Sequence, residues 1–191
     1  MKPRIKTAGK GGSARQKQTE SREQEASSGL RRGVAVDLLI ERLDDEGIGI
    51  AHSQGRQILV AGALPQDRCL ARISHIGKTV VFADLIKLID PSPFRLQRCP
   101  CADAALCLGC PLIAMRYGEQ LRWKQDLVQA AFNQYPSLKH LVVPRLLTPE
   151  RRLQYRTTAK LAVAGSHADP YIGIYRRASH DVVDLEDCQL H

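Results

Sequence analysis

From Val34 to Ile89 the chain is written in short alternating stretches, and this pattern limits what it can fold into more than any other feature. VAVDLLIERL sets apolar Val34, Val36 and Leu38 at every second position ahead of an acidic turn at Asp44, Asp45 and Glu46, the period of a strand with one buried face. After Gly47 and Gly49, the stretches IGIAHS, QILVAG, CLARISHI and TVVFADLIKLI read as further strands. Gln54-Gly55, Leu64-Pro65-Gln66-Asp67 and Gly77-Lys78 supply the turns between them. Five short strands over about sixty residues predict a small closed or nearly closed barrel, and their number suits an OB-like fold across residues 33–90.

The flanking segments read differently. Residues 1–32 are Lys, Arg, Gln, Ser, Gly and Glu with almost no large apolar side chains, too few to offset the entropy of ordering them. A disordered basic arm is expected there. Pro91 and Pro93 break the strand pattern, and within residues 91–115 the run RLQRCPCADAALCLGCP is too irregular and cysteine-rich for a strand; it reads as a metal-binding loop. Over residues 116–191 a helix is expected from Tyr117 to Gln134, with Leu121, Val128 and Phe132 on one side and Arg122, Gln125, Asp126 and Gln129 facing elsewhere. Pro136 ends it. HLVV, LQYRTTAKLAV, YIGIYR and DVVDL follow as expected strands, with a turn at His167-Ala168-Asp169-Pro170. The fold class is a β-rich α+β one: barrel, cysteine loop and a partial α+β unit.

Charge is unevenly spread. The formal net charge is +8, with nine basic against three acidic residues in 1–32, six against eight in 33–90, and thirteen against nine in 91–191. A basic arm on a mildly basic body fits attraction to a polyanion such as RNA, while the plain alternative is a solubilising tail. No run approaches the roughly eighteen apolar residues of a membrane span. The positive start MKPRIKTAGKGG has no apolar block behind it, so a cytoplasmic location with reduced thiols is expected.

In that compartment six cysteines are poor material for a disulfide framework. Cys101, Cys107 and Cys110 are spaced C-x5-C-x2-C, with Cys99 just before them and Cys188 far downstream. Three chemistries fit: an iron–sulfur cluster on three local cysteines and a remote one, a zinc site on Cys99, Cys101, Cys107 and Cys110, or a redox pair at Cys107 and Cys110. Burial as small hydrophobes suits Cys69, lone within a strand, and suits a loop of four cysteines badly.

A small barrel carrying GIGIAHSQGRQILVAGALPQD, then SPFRLQRCPCADAALCLGC, then a helix with YGEQLRWKQDLVQ, then LQYRTTAKLAV and YIGIYRRASHDVVDLEDC, resembles the TRAM-domain RNA uracil-5-methyltransferases from about Val34 to the C-terminus. The resemblance implies that the barrel is a TRAM domain and that Cys101, Cys107, Cys110 and Cys188 hold a 4Fe-4S cluster, with ribosomal or transfer RNA as partner. Two motifs depart from the family pattern: its C-G-G-C is Cys107-Leu108-Gly109-Cys110 here, and its Y-R-N-K is Tyr155-Arg156-Thr157-Thr158. The resemblance also implies that S-adenosylmethionine, the nucleophilic cysteine and the base of the full-length enzymes belong to a later Rossmann-like domain. This chain alone is therefore expected not to methylate RNA, its catalytic partner being a separate chain if the enzyme is split. The alternative of a different class is a non-catalytic RNA-binding protein with a zinc-bound loop.

Within the chain, Gly47-Ile48-Gly49 is the nearest thing to a nucleotide loop, but its glycine spacing is wrong and no helix follows. The six histidines form no metal or triad spacing. The barrel stretch is net acidic and its one aromatic is Phe82, a weak composition for binding single strands. Arg152, Arg156 and Lys160 are better RNA contacts, since even spacing on one strand would put all three on one face; Arg151, Arg176 and Arg177 lie nearby. A solvated strand face is the plain alternative. Trp123 and Tyr117 are read as packing residues.

Overall fold

The alternation that opens at Val34 becomes two successive strands, β1 (Ala35–Leu39) and β2 (Arg42–Leu43), followed by β3 (Gly49–Ser53), β4 (Arg56–Ala61), β5 (Arg68–Ile76) and β6 (Val80–Asp90). The computed structural model describes residues 29–97, 109–176, 180–185 and 188–190, so most of the expected arm and Cys99, Cys101 and Cys107 lie outside the described residues. The six strands are hydrogen-bonded in the order β1-β5-β6-β4-β3-β2. β1 and β2 thus occupy opposite edges of the sheet although only Ile40 and Glu41 separate them, and the sheet has to close on itself. Leu38 pairs with Cys69 on one side of the bend and Arg42 with Ile50 on the other. At the bend itself Ile40 N–H donates to Asp67 O and Glu41 N–H to Ile50 O, both at 2.8 Å. The barrel is closed by one bent stretch serving both edges.

Closure needs curvature as well as connectivity. Register shifts at Arg68/Cys69, Leu70/Ala71 and Ile73/His75 interrupt the β5–β6 ladder, and such bulges raise local twist so that a hairpin can wrap around a core. Leu38, Ile40, Ile50, Ile58, Val60, Cys69, Ile73 and Val81 are each 3% exposed or less. These are the inward positions of the period-2 pattern, and burying each large aliphatic one contributes about 1.5–3 kcal/mol. Gln54 and Gly55 join β3 to β4 with φ of 50° and 71°, the positive pair that a two-residue hairpin turn matching strand twist requires.

Beyond β6 the chain remains tied to the barrel. Arg95 bridges Met115 in antiparallel fashion, Leu96 N–H donates to Ala114 O, and Arg116 N–H donates to Phe94 O, each at 2.8 Å. Residues 94–96 and 114–116 therefore make a short stem on either side of the cysteine-rich segment. Leu43 and Leu64 of the barrel share a core with Leu112 and Met115, with Phe94, Ala114 and Trp123 packed against it.

Helix α1 (Tyr117–Asn133) starts directly after the stem and ends ahead of Pro136, as expected. No residue of α1 is buried. The stripe of Leu121, Val128 and Phe132 is not a core face: Val128 is exposed, and Leu121 and Phe132 are half-buried. Part of the expected polar face instead bonds backbone. Gln125 donates to Val143 O at 2.8 Å, Gln129 donates to Leu141 O at 2.9 Å, and Gln129 Oε1 accepts from Val143 N–H at 2.9 Å. HLVV, expected as a strand, is consequently an irregular segment held by side chains. The remaining strands β7 (Ala162–Gly165), β8 (Pro170–Tyr175) and β9 (Val182–Asp184) form an antiparallel sheet in that order. Among the described residues no helix is long and apolar enough to cross a membrane.

Candidate functional site

The base of the cysteine loop is fixed by a buried ion pair. Asp67 is 0% exposed and closes the turn between β4 and β5. Its Oδ2 accepts from Leu64 N–H at 2.6 Å and its Oδ1 from Ser92 N–H at 2.8 Å. Arg95 adds Nε to Oδ1 at 2.8 Å and Nη2 to Oδ2 at 2.6 Å, and Nη2 also donates to Gly62 O at 2.6 Å. A carboxylate with this many donors and a two-pronged guanidinium has the geometry in which a buried charge is tolerated. The sequence marked Asp67 only as a turn residue and gave Arg95 no role. The available signal was an acid at the end of one turn and a Ser-x-x-Arg directly after the barrel, which only pairing across the fold connects.

Of the expected cluster ligands, Cys110 and Cys188 are described and both are half-buried; Cys101, Cys107 and the competing Cys99 lie outside the described residues. Among the described residues no group of three or more His, Cys, Asp or Glu is arranged to hold a metal. The tail is held against residues 154–156. Gln154 N–H donates to Gln189 O at 2.8 Å and Arg156 N–H to Leu190 O at 2.9 Å. Cys110 and Leu190 line the same cavity of about 760 Å³, walled also by α1 and by residues 146–156.

That cavity gathers the expected RNA contacts unevenly. Arg152 and Arg156 line it together with Arg151 and Lys124; Lys160 does not. The strand that was to align Arg152, Arg156 and Lys160 is absent: residues 151–161 are irregular and largely exposed. The alternation is present in the sequence, but a strand needs a hydrogen-bonding neighbour, and among the described residues the backbone bonds of this segment are those of Gln154 and Arg156 to the turn after Cys188. Tyr117, expected to pack, lines the cavity beneath Arg152, whose guanidinium carbon stands 4.1 Å from the ring centre.

Two further candidates resolve as structure. Burial pushes the Cys69 thiol up to about 11, with the negative charges of Asp67 and Asp37 adding to it, so it is a packed thiol and no nucleophile at neutral pH. Gly47-Ile48-Gly49 is buried. Asp44 Oδ1 accepts from Glu46 N–H and Ile48 N–H at 3.0 and 2.7 Å, and a side chain on Gly47 would stand 3.2 Å from Leu112 Cδ2. The segment is a packed turn against the stem.

No protein-family model matches the chain. It is 40% identical over 166 residues to a protein named as an uncharacterized RNA methyltransferase of Geobacter sulfurreducens, covering 87% of this chain and 34% of that one. A namesake from Halalkalibacterium halodurans is 29% identical over 161 residues, covering 84% and 35%. The fold is similar to that in the crystal structure of Pyrococcus abyssi tRNA (uracil-54, C5)-methyltransferase in complex with S-adenosyl-L-homocysteine, with a TM-score of 0.52 at 22% identity over 81% of this chain and 32% of that one. The chain thus spans about a third of the length of the curated relatives it matches. It is a sequence relative of proteins named as uncharacterized RNA methyltransferases, over about a third of their length.

Proposed function

We propose that this chain is the RNA-binding, iron–sulfur-carrying part of an S-adenosylmethionine-dependent RNA uracil-5-methyltransferase, with residues 33–90 as its TRAM barrel. The observation that carries the reading is the Gln189-Leu190 turn beside Cys188, held by the N–H groups of Gln154 and Arg156, with Leu190 on a wall that it shares with Cys110. Two half-buried thiols, one at the loop base and one beside that turn, suit a soft metal centre. Cys101, Cys107, Cys110 and Cys188 would hold the 4Fe-4S cluster. Bound there, it would supply a thiolate-linked clamp between loop and tail. The residues around it do the positioning: Asp67 and Arg95 hold the stem, and Gln154 and Arg156 hold the tail through their backbone N–H groups. Arg152 and Arg156 are assigned to RNA phosphates, with Lys160 further along the same segment.

Methyl transfer is assigned to the part of the relatives that this chain does not match. The isolated chain is then expected to bind RNA without methylating uridine. Anaerobic purification with a visible spectrum and iron, sulfide and zinc analysis tests the reading. Brown protein carrying about four iron per chain, lost in Cys188→Ala, is the expected result. Colourless protein with one zinc, indifferent to Cys188→Ala, would replace it with the zinc-loop RNA-binding module. Uridine methylation by the isolated chain with S-adenosylmethionine would overturn the assignment of catalysis elsewhere.

A further inference from the structure

We propose that the cavity between the loop base, α1 and residues 146–156 is a nucleotide pocket for single-stranded RNA, in which Arg152, seated on Tyr117, is the stacking and phosphate-binding platform. This rests on the RNA-binding reading above and adds to it the pocket, its ligand class and a role for Tyr117. At about 760 Å³ the cavity lies within the ordinary range of small-ligand sites and has room for a nucleotide. Its charged lining is of one sign: Lys124, Arg151, Arg152 and Arg156 face it, and among the described residues no Asp or Glu does.

The chemistry of the four cations selects the occupant. Among the described residues no carboxylate forms an ion pair with any of them. A purely apolar polypeptide segment seated in the cavity would bring these cations no opposite charge, whereas a polynucleotide delivers a phosphate with every base. Arg152 is also prearranged. Its guanidinium carbon is 4.1 Å from the centre of the Tyr117 ring, a cation–π contact that limits its rotamers before any ligand arrives. Because Arg152 is exposed, its outer face is open to a base, and a planar guanidinium can stack and fork to phosphate in a way an ammonium cannot. Tyr155, 53% exposed, offers a second ring on the same wall. Apolar Ile113, Leu121 and Leu153 complete a surface suited to a base.

The test is fluorescence anisotropy of the full chain with a labelled single-stranded oligoribonucleotide and with its duplex. Arg152→Lys and Tyr117→Leu are each expected to weaken single-strand binding about tenfold, and Tyr117→Phe to leave it near wild type. Since Arg152→Lys keeps the charge, its salt dependence should match wild type, which separates stacking from simple attraction. Arg152 is an exposed side chain, so this variant decides the matter even if Tyr117→Leu fails to fold by circular dichroism. Wild-type affinity in Arg152→Lys would overturn the pocket while leaving RNA binding intact. Failure of the unmodified chain to bind single strands would overturn both.

Discussion

Arg95 meets Asp67 with two nitrogens, Nε at 2.8 Å from Oδ1 and Nη2 at 2.6 Å from Oδ2, and Asp67 is completely buried. The pair joins the turn before β5 to the strand of the stem that enters the cysteine loop. Through it, the loop takes its starting position from the rigid barrel. Ser92 N–H, bonded to the same carboxylate at 2.8 Å, fixes the chain just after β6 as well.

Truncating Arg95 should therefore cost far more than removal of a surface ion pair. Arg95→Met leaves a buried carboxylate without its cation and should destabilise the protein by about 3–5 kcal/mol in urea denaturation. Asp67→Leu should cost at least as much, since it also orphans the N–H groups of Leu64 and Ser92. The double variant should lose less than the sum of the two, and strict additivity would refute the coupling.

Gly47 has a φ of 82°, and a Cβ there would lie 3.2 Å from Leu112 Cδ2 and 3.3 Å from Pro111 Cβ. Gly47→Ala combines backbone strain with a contact against the stem, and about 1–3 kcal/mol of lost stability is expected. Gly55→Ala has an unfavourable φ but open space around it, so it should be the milder of the two. A reversed order in thermal melts would exclude the contact with Pro111 and Leu112 as the cause.

Cys69 should be silent to thiol reagents in the native protein at neutral pH, while half-buried Cys110 and Cys188 react once any bound metal is removed. Burial first, then Asp67 and Asp37, raises the Cys69 thiol from 9.0 to about 11. Above pH 9 the unfolded chain releases this proton and the native one retains it. The native state then binds more protons, so stability falls as pH rises from 9 towards 11. Cys69→Val should remove that component of the decline in denaturant titrations; an unchanged slope would contradict the assignment.

Ile58 is 0% exposed in the barrel, and Val142 is 85% exposed on the segment held by Gln125 and Gln129. Ile58→Ala should cost about 2–5 kcal/mol and Val142→Ala less than about 0.5 kcal/mol. Comparable losses at both positions, measured by urea denaturation, would mean that the 141–143 segment is covered in solution.

The barrel was legible because its signal is local. A period of two fixes which side chains turn inward, and Gln54-Gly55 and Gly77-Lys78 mark where the stretches stop, so strands and turns follow from neighbours along the chain. The helix boundaries were legible for the same reason, Pro136 included. What the sequence could not convey is whether an element finds a partner. LQYRTTAKLAV alternates as a strand should, yet among the described residues most of it pairs with no strand, and the even spacing of Arg152, Arg156 and Lys160 loses its meaning. The stripe on α1 is apolar by period, yet none of it is buried: Val128 is exposed and Leu121 and Phe132 are half-buried. In the other direction, Asp67 with Arg95, and Tyr117 with Arg152, become pairs only when residues 28 and 35 positions apart are brought together. Local pattern determined the elements, and long-range pairing decided which charges and rings could act together, because ion pairs, stacked rings and cavities depend on distances in space that spacing along the chain does not encode.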